Sequence, residues 1–366
     1  MDLPLLLHIM AEKNASDLHL RSNRPAVFRV DGNLSFRTPE AIPGHLVEQW
    51  VKSILNDKQM RIFEERLECD TALSVENLGR FRVNIYRQRN MINMAFRVIP
   101  NRIPTFDQLK LPPVIRKVAD EPRGLVLVTG TTGSGKSTTL ASMIDYINAS
   151  RSRHIITIED PIEYLHEDKQ SILSQRELQQ DTLSYPEALK HAVRQDPDVI
   201  LLGEMRDLET MGAALTAAQT GHLVLSTIHT IDAVQTINRI IDVFPPHQQN
   251  QIRFQLADTL RGVISQRLLP HISGVGRVPA VEVMVVTPII RKYLLENTLG
   301  EVSNVMKQGA YYGMKTFHQA LVELIQKKEI ALETALEASS NPEEIMMAVR
   351  GVQTGSENSG SMFQQT

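Results

Sequence analysis

The 366-residue sequence holds a single cysteine, Cys69. That excludes an intramolecular disulfide framework and a cysteine-based zinc module. Long apolar runs are also missing. The longest, such as 125–128 and 199–202, are strand-sized. A spanning helix needs roughly 18–20 such residues, so no direct membrane insertion is expected. The N-terminal MDLPLLLHIMAEKNASD is apolar but short, opens with an acid and lacks a basic flank, which argues against a signal peptide. There is no excess of positive charge: 39 Lys and Arg face 42 Asp and Glu, for a formal charge of −3. Aromatic residues make up 5%. A generally basic nucleic-acid binder and a base-stacking translocation channel are both disfavoured, so nucleic acid is not an expected partner. What is present is an ordinary globular composition, 42% hydrophobic and 22% charged. It points to a cytoplasmic protein of two or three domains, peripheral to a membrane only through another protein.

The chain changes texture four times. Residues 1–100 mix helix and strand. Helices are expected over 3–13, 44–55 and 57–67, and strands over 16–20 and 26–30, the latter followed by a turn at Asp31-Gly32-Asn33. Over 80–86, Phe81, Val83 and Ile85 alternate with Arg80, Arg82 and Asn84, giving one buried face and one arginine-bearing face. Residues 101–122 carry Pro104, Pro112, Pro113 and Pro122, just after Pro100, and read as an interdomain linker. Residues 123–286 alternate strand and helix. Their apolar runs at 124–129, 154–158, 199–202 and 223–227 are continuous, as in parallel strands buried on both faces. Ser184 with Glu187, and Asp207 before an Ala-rich segment ending at Gly221, mark helix termini. This is an α/β domain. Residues 287–350 look helical, with Thr287 as cap and Pro288 in the first turn, and 351–366 form a Ser/Gly/Gln-rich tail expected to be disordered.

The strongest chemical signal is Gly130-Thr131-Thr132-Gly133-Ser134-Gly135-Lys136-Ser137-Thr138, a full G-x-x-x-x-G-K-[ST] pattern set between a strand and a helix. Its glycines let successive amides face an anion at a helix N-terminus. Lys136 would reach the β- and γ-phosphates of ATP and Ser137 would ligate Mg²⁺. Asp198–Glu204 resembles a Walker B strand in which Gly203 holds the usual Asp position, leaving Glu204 to act on Mg²⁺ through water. Glu159, Asp160 and Glu163 cluster after another strand; three such carboxylates repel one another unless Mg²⁺ or arginines neutralise them. Glu163 is the candidate for orienting the attacking water, with Glu159 and Asp160 near the metal. His222 and His229 bracket a short strand, and His229 could sense the γ-phosphate by hydrogen bond. No third ligand is spaced for zinc.

Together, GTTGSGKST, TIEDPIEY, DVILLGEMRD and TGHLVLSTIHT resemble the ATPases of type II secretion and type IV pili, most closely the PilT/PilU family of pilus retraction ATPases. SDLHLR, GRFRVNIYRQ, AFRVIPNRIPT, GVISQRLLP and VPAVEVMVVTP extend the similarity over nearly the whole chain. The resemblance implies a RecA-like P-loop ATPase domain, an α+β PAS-like N-terminal domain and a helical C-terminal region. It implies a homohexamer in which ATP lies between RecA-like and N-terminal domains. Arginines would come from the N-terminal domain: by position Arg82 and Arg97, with Arg102 as a third. It also implies an inner-membrane pilus platform protein as partner and pilus retraction (twitching motility) as output. The segment Pro288–Glu296 departs from the family's AIRNLIRE-like pattern, which leaves open an accessory ring role beside a paralogous retraction ATPase.

Overall fold

The computed structural model describes residues 2–30, 32–76, 78–100 and 102–351. The tail beyond Gly351 and Asp31 of the expected turn lie outside them. By its internal contacts the chain divides into two units, Met1–Arg102 with Glu163–His166, and Ile103–Ile162 with Glu167–Thr366.

The N-terminal unit runs α1 (Leu3–Glu12), β1 (Asp17–Arg21), β2 (Arg24–Val30), β3 (Asn33–Ile42), α2 (Gly44–Ile54), α3 (Asp57–Arg66), β4 (Glu68–Val75), β5 (Gly79–Gln88) and β6 (Met91–Ile99). Its strands form one antiparallel sheet in the order β3-β2-β1-β6-β5-β4. The alternation read along β5 holds: Phe81, Val83 and Ile85 join Leu18, Phe28, Met94 and Phe96 in a core with Leu6 of α1, Val47 of α2 and Phe63 of α3. β3 was not expected. It is an edge strand with only Thr38 and Ile42 buried, and Pro39 lies within it, so it shows no hydrophobic period.

The second unit continues with α4 (Val114–Ala119), β7 (Gly124–Thr129), α5 (Lys136–Ser150), β8 (His154–Glu159), β9 (Ile172–Glu177), α6 (Tyr185–Ala192), β10 (Val199–Leu202), α7 (Leu208–Gln219), β11 (Leu223–Ile228), α8 (Ala233–Val243), α9 (Pro246–Thr259), β12 (Leu260–Pro270) and β13 (Arg277–Val285). Five further helices follow: α10 (Pro288–Leu295), α11 (Val302–Gln308), α12 (Phe317–Gln326), α13 (Leu332–Ala338) and α14 (Pro342–Val349). The sheet order is β13-β12-β7-β11-β10-β8-β9. All neighbours are parallel except β12 and β13, which form an antiparallel pair at one edge. β7, β10 and β11 are buried at every position, as their continuous apolar runs require. Helices cover both faces, α5 with α4 on one and α7, α8, α9 and α10 on the other.

The proline-rich stretch expected as an interdomain linker packs its apolar residues into this unit's core. Phe106, Leu111, Val114, Ile115 and Val118 are buried against β7 and α5, and α4 forms directly after Pro112-Pro113. Proline marks where the chain turns here, while the apolar residues between prolines decide where it packs. Thr287 precedes Pro288 at the start of α10 as expected, but makes no side-chain cap, and its buried Oγ1 has no partner. Ser184 and Asp207 do cap their helices, accepting from the amides of Glu187 and Thr210.

Glu282 of β13 ties the helical region to the sheet. One carboxylate oxygen accepts the Ala233 amide at 2.9 Å and the other the Phe317 amide at 3.1 Å, the first residues of α8 and α12. Burial pushes this carboxyl above its ordinary value, while the two amides pull the other way. Glu282→Ala leaves two helix-start amides without an acceptor and is expected to cost about 2–4 kcal/mol, read as a lower guanidinium midpoint; an unchanged midpoint would show that the two amides find other partners.

Candidate active site

Four loops meet at the carboxyl ends of neighbouring parallel strands, the edge where open α/β sheets bind ligands. The register aligns them. Thr129 lies beside Ile228, and Leu202 lies beside both Ser226 and Ile158. The phosphate loop, His229 and Glu204 follow these strands, and the pair Glu159-Asp160 spans the end of β8.

The phosphate loop leaves β7 at Gly130 and enters α5 at Lys136. Gly130, Gly133 and Gly135 have φ of +144, +78 and +91, values that side chains rarely adopt. At Gly130 an added Cβ would lie 2.4 Å from the Gln266 carbonyl and 2.4 Å from Ser134 Oγ. At Gly133 nothing lies within 4 Å, so that side of the loop is an open cradle. Lys136 is nearly buried, and its Nζ donates to the carbonyls of Gly130 at 2.9 Å and Thr131 at 3.0 Å. The ammonium is thereby held over the loop. Ser134 is buried and its Oγ has no partner. Ser137 and Thr138 follow on the first turn of α5, half-buried, while Thr131 and Thr132 are exposed. The first amides of an α-helix lack intrahelical acceptors, so this end is electropositive and bears donors.

Beside α5 lies a cavity of about 260 Å³ lined among others by Gln108, Leu111, Ser134, Thr138, Gln266 and Val278. Gln266, buried on β12, exchanges hydrogen bonds with Thr139 Oγ1 at 2.9 and 3.1 Å. Nothing local in the sequence marks Gln266 or the β12–β13 hairpin as part of the site. Their approach to the loop depends on β12 pairing in parallel with β7.

Glu204 follows β10 and is largely buried. Arg206 Nε donates to one of its oxygens at 2.6 Å, and His229 Nε2 stands 3.5 Å from the other. Its loop is pinned by the Met205 amide on the Thr227 carbonyl at 3.0 Å and by Thr227 Oγ1 on the Gly203 carbonyl at 2.7 Å. Glu159 accepts from Thr157 Oγ1 at 2.7 Å and Gln175 Nε2 at 3.2 Å, while Asp160 is exposed. Arg206, which the sequence reading did not single out, is the cation nearest to Glu204.

Within the second unit, His222 lies away from the phosphate loop. His222 opens β11 rather than closing it. Its Nδ1 lies 2.9 Å from the Ala217 carbonyl and 3.3 Å from Thr220 Oγ1, so it braces the turn after α7. Its carbonyl accepts from Gly124, at the start of β7. Six strand residues separate that end from the phosphate loop, about 20 Å at strand rise. The two histidines that bracket the strand in sequence are therefore at its opposite ends. Glu163 is exposed in the loop after β8, within the stretch Glu163–His166 that groups with the N-terminal unit.

Arg82, Arg97 and Arg102 also belong to that unit. Arg82 and Arg97 face each other across β5 and β6, and Arg97 faces Asp17 across β6 and β1. Arg97 Nε is 2.8 Å from Asp17 Oδ1, whereas Arg82 reaches Asp70 only at 4.0 Å. Both side chains stand on the polar face of the sheet, at an open cleft shared with His19 and Asn84. Arg102 is exposed.

Among the described residues no group of three or more His, Cys, Asp or Glu could hold a metal, and no helix is long and apolar enough to cross a membrane. A Mg²⁺ bound here would draw its ligands chiefly from phosphate and water, as that ion commonly does, with Ser137 and Glu204 as the protein's share. The orphaned Ser134 hydroxyl and the open cradle at Gly133 fit a bound phosphate chain.

Known proteins resemble this arrangement over their full length. The chain is 46% identical to the type IV pilus retraction ATPase PilT of Pseudomonas aeruginosa over 94% of its own length and 99% of the relative's. It is 39% identical to the type IV pilus ATPase PilU of the same organism, over 100% of its length and 96% of the relative's. A crystal structure of the pilus retraction motor PilT with bound ADP superposes with a TM-score of 0.88 at 44% identity, covering 94% of this chain and 99% of that one. The model of the type II/IV secretion system protein family matches residues 3–357, and the chain belongs to that family.

Proposed function

We propose that this protein is an ATP-hydrolysing motor subunit that drives type IV pilus retraction, and so twitching motility. One observation carries the reading: a complete phosphate loop with its lysine clamped in place, after β7, shares the carboxyl edge of the parallel sheet with a largely buried glutamate after β10, one strand (β11) lying between them. The likeness to PilT supports the biological output, since it extends over almost the whole of both chains.

The chemistry proposed for each group follows the sequence motifs and the likeness to PilT. The amides of the loop and the α5 N-terminus bind the phosphates, and Lys136 neutralises charge on the β- and γ-oxygens. Mg²⁺ supplies charge neutralisation between phosphates when bound, with Ser137 as ligand and Glu204 acting through water. The cavity beside α5 is placed to take the nucleoside. His229 stands next to Glu204, where it can report the state of the γ-phosphate. Glu163 is the proposed water-orienting base and Glu159 and Asp160 flank the metal. Arg82 and Arg97, with Arg102, are proposed to act on ATP from the N-terminal unit of a neighbouring subunit, an effect that can reach ~10³–10⁵ in phosphoryl-transfer rate. Their supply in trans calls for a ring, here a homohexamer. Its proposed partner is the inner-membrane pilus platform protein, which would hold the ring at the cytoplasmic face.

Three variants test the chemistry. Lys136→Ala is expected to abolish Mg²⁺-dependent ATP turnover. Glu204→Gln is expected to retain nucleotide while losing turnover by about a hundredfold or more. Gly130→Ala, whose Cβ meets a backbone carbonyl, is expected to weaken ADP binding by at least tenfold, read by calorimetric titration. Full turnover in either of the first two removes the enzymatic reading. Deleting the gene in the host tests the output: surplus surface pili with lost twitching indicates retraction, and bald cells indicate assembly.

A further inference from the structure

The two arginines that face each other across β5 and β6 are held to different degrees. Arg82 comes no closer than 4.0 Å to Asp70, whose side chain is 63% exposed. Arg97 Nε donates to Asp17 Oδ1 at 2.8 Å, and the Asp17 side chain is only 10% exposed. Register brings these groups together. Asp17 on β1 lies opposite Arg29 of β2 on one side and Arg97 of β6 on the other, and Arg97 lies opposite Arg82 of β5. Arg29, Asp17, Arg97 and Arg82 therefore form one row across four neighbouring strands, three cations with a single carboxylate among them.

The second oxygen of Asp17 is also engaged. Ser16 Oγ donates to it at 2.8 Å, and Arg29 Nε stands 3.7 Å away. Arg29 is itself tied to the Gly32 carbonyl at 2.7 Å. The carboxylate is thus buried and fixed from both sides. Arg97 uses only its Nε on that anchor. Among the described residues its Nη atoms have no hydrogen-bond partner, and the side chain is 69% exposed. An untethered arginine samples many rotamers, and ordering it on a ligand costs that freedom. A bond at Nε removes much of the freedom beforehand. It leaves the outer Nη edge, which pairs with phosphate oxygens in a fork. As a bare cross-strand ion pair, a contact to so exposed an arginine would add little to stability.

We propose that Asp17 is a positioning residue for ATP hydrolysis: its buried carboxylate grips Arg97 at Nε, so that the Nη groups are held ready for the phosphates of ATP bound to a neighbouring subunit. The row stays cationic, because Arg29 offsets the charge of Asp17 and leaves that of Arg97 for the nucleotide. The proposal rests on the role given to Arg97 under the proposed function. It adds that this arginine is ordered before ATP arrives, whereas Arg82, with its carboxylate at 4.0 Å, is not.

The test is steady-state ATP turnover of the purified full chain with Mg²⁺. Asp17→Ala removes the anchor and leaves Arg97 in place. We expect kcat to fall about tenfold, the scale of one hydrogen bond to a charged group. KM for ATP should stay within about threefold, the elution size should be unchanged, and the thermal midpoint should lie within about 4 °C of wild type. Asp17→Asn keeps an acceptor for Nε and is expected to lose only about threefold. In an Arg97→Lys background, which has no Nε, Asp17→Ala is expected to cost less than about twofold. A kcat of Asp17→Ala within twofold of wild type, or above it, overturns the proposal. So does an equal cost in both backgrounds, or an Asp17→Asn chain as slow as Asp17→Ala. A loss accompanied by a smaller assembly or a larger fall in midpoint also overturns it, since the carboxylate would then serve the fold. Full turnover in Arg97→Ala removes the role of that arginine itself, and is distinguishable from an impaired Arg97→Ala beside a fully active Asp17→Ala.

Discussion

The chemistry of the second unit depends on how closely one glycine passes a neighbouring strand. Gly130 runs so near the Gln266 carbonyl of β12 that no side chain fits between them. That approach fixes where the phosphate loop leaves β7, and so where α5 begins. The helix start, the amides of the loop and the Lys136 ammonium are then aimed by backbone geometry rather than by mobile side chains. A site built this way loses little on binding, because its donors are already ordered.

The charges around that anion site are arranged in opposition. Lys136 donates to two backbone carbonyls, which orient its ammonium over the loop. Glu204 is held by Arg206 and stands near His229, while Glu159 is anchored within the sheet by Thr157 and Gln175. Lys136 and these carboxylates thus sit along one edge of the sheet, with β11 between β7 and β10. Glu282 works at a distance from this chemistry, joining the starts of α8 and α12 through two amides.

The N-terminal unit shows how far a period can be read. The alternation along β5 separated Phe81, Val83 and Ile85 from Arg82 because one face of an antiparallel sheet is buried and the other is not. β3 and β9 gave no such signal, being edge strands whose residues are mostly half-exposed or exposed. The packing of residues 101–122 was also illegible locally. Proline content describes the local backbone, whereas burial of Phe106, Ile115 and Val118 depends on surfaces supplied by β7 and α5.

The phosphate loop, the buried parallel strands and the glutamate at the end of β10 were legible from the sequence, because each is a property of consecutive residues: a run of glycines before a lysine, or an apolar run ending in a carboxylate. The separation of His222 from His229 by the length of β11 and the packing of Gln266 behind the loop were decided by tertiary structure alone. Those relations join residues from different strands and helices through register and crossover, and no short stretch of chain encodes the distance between them.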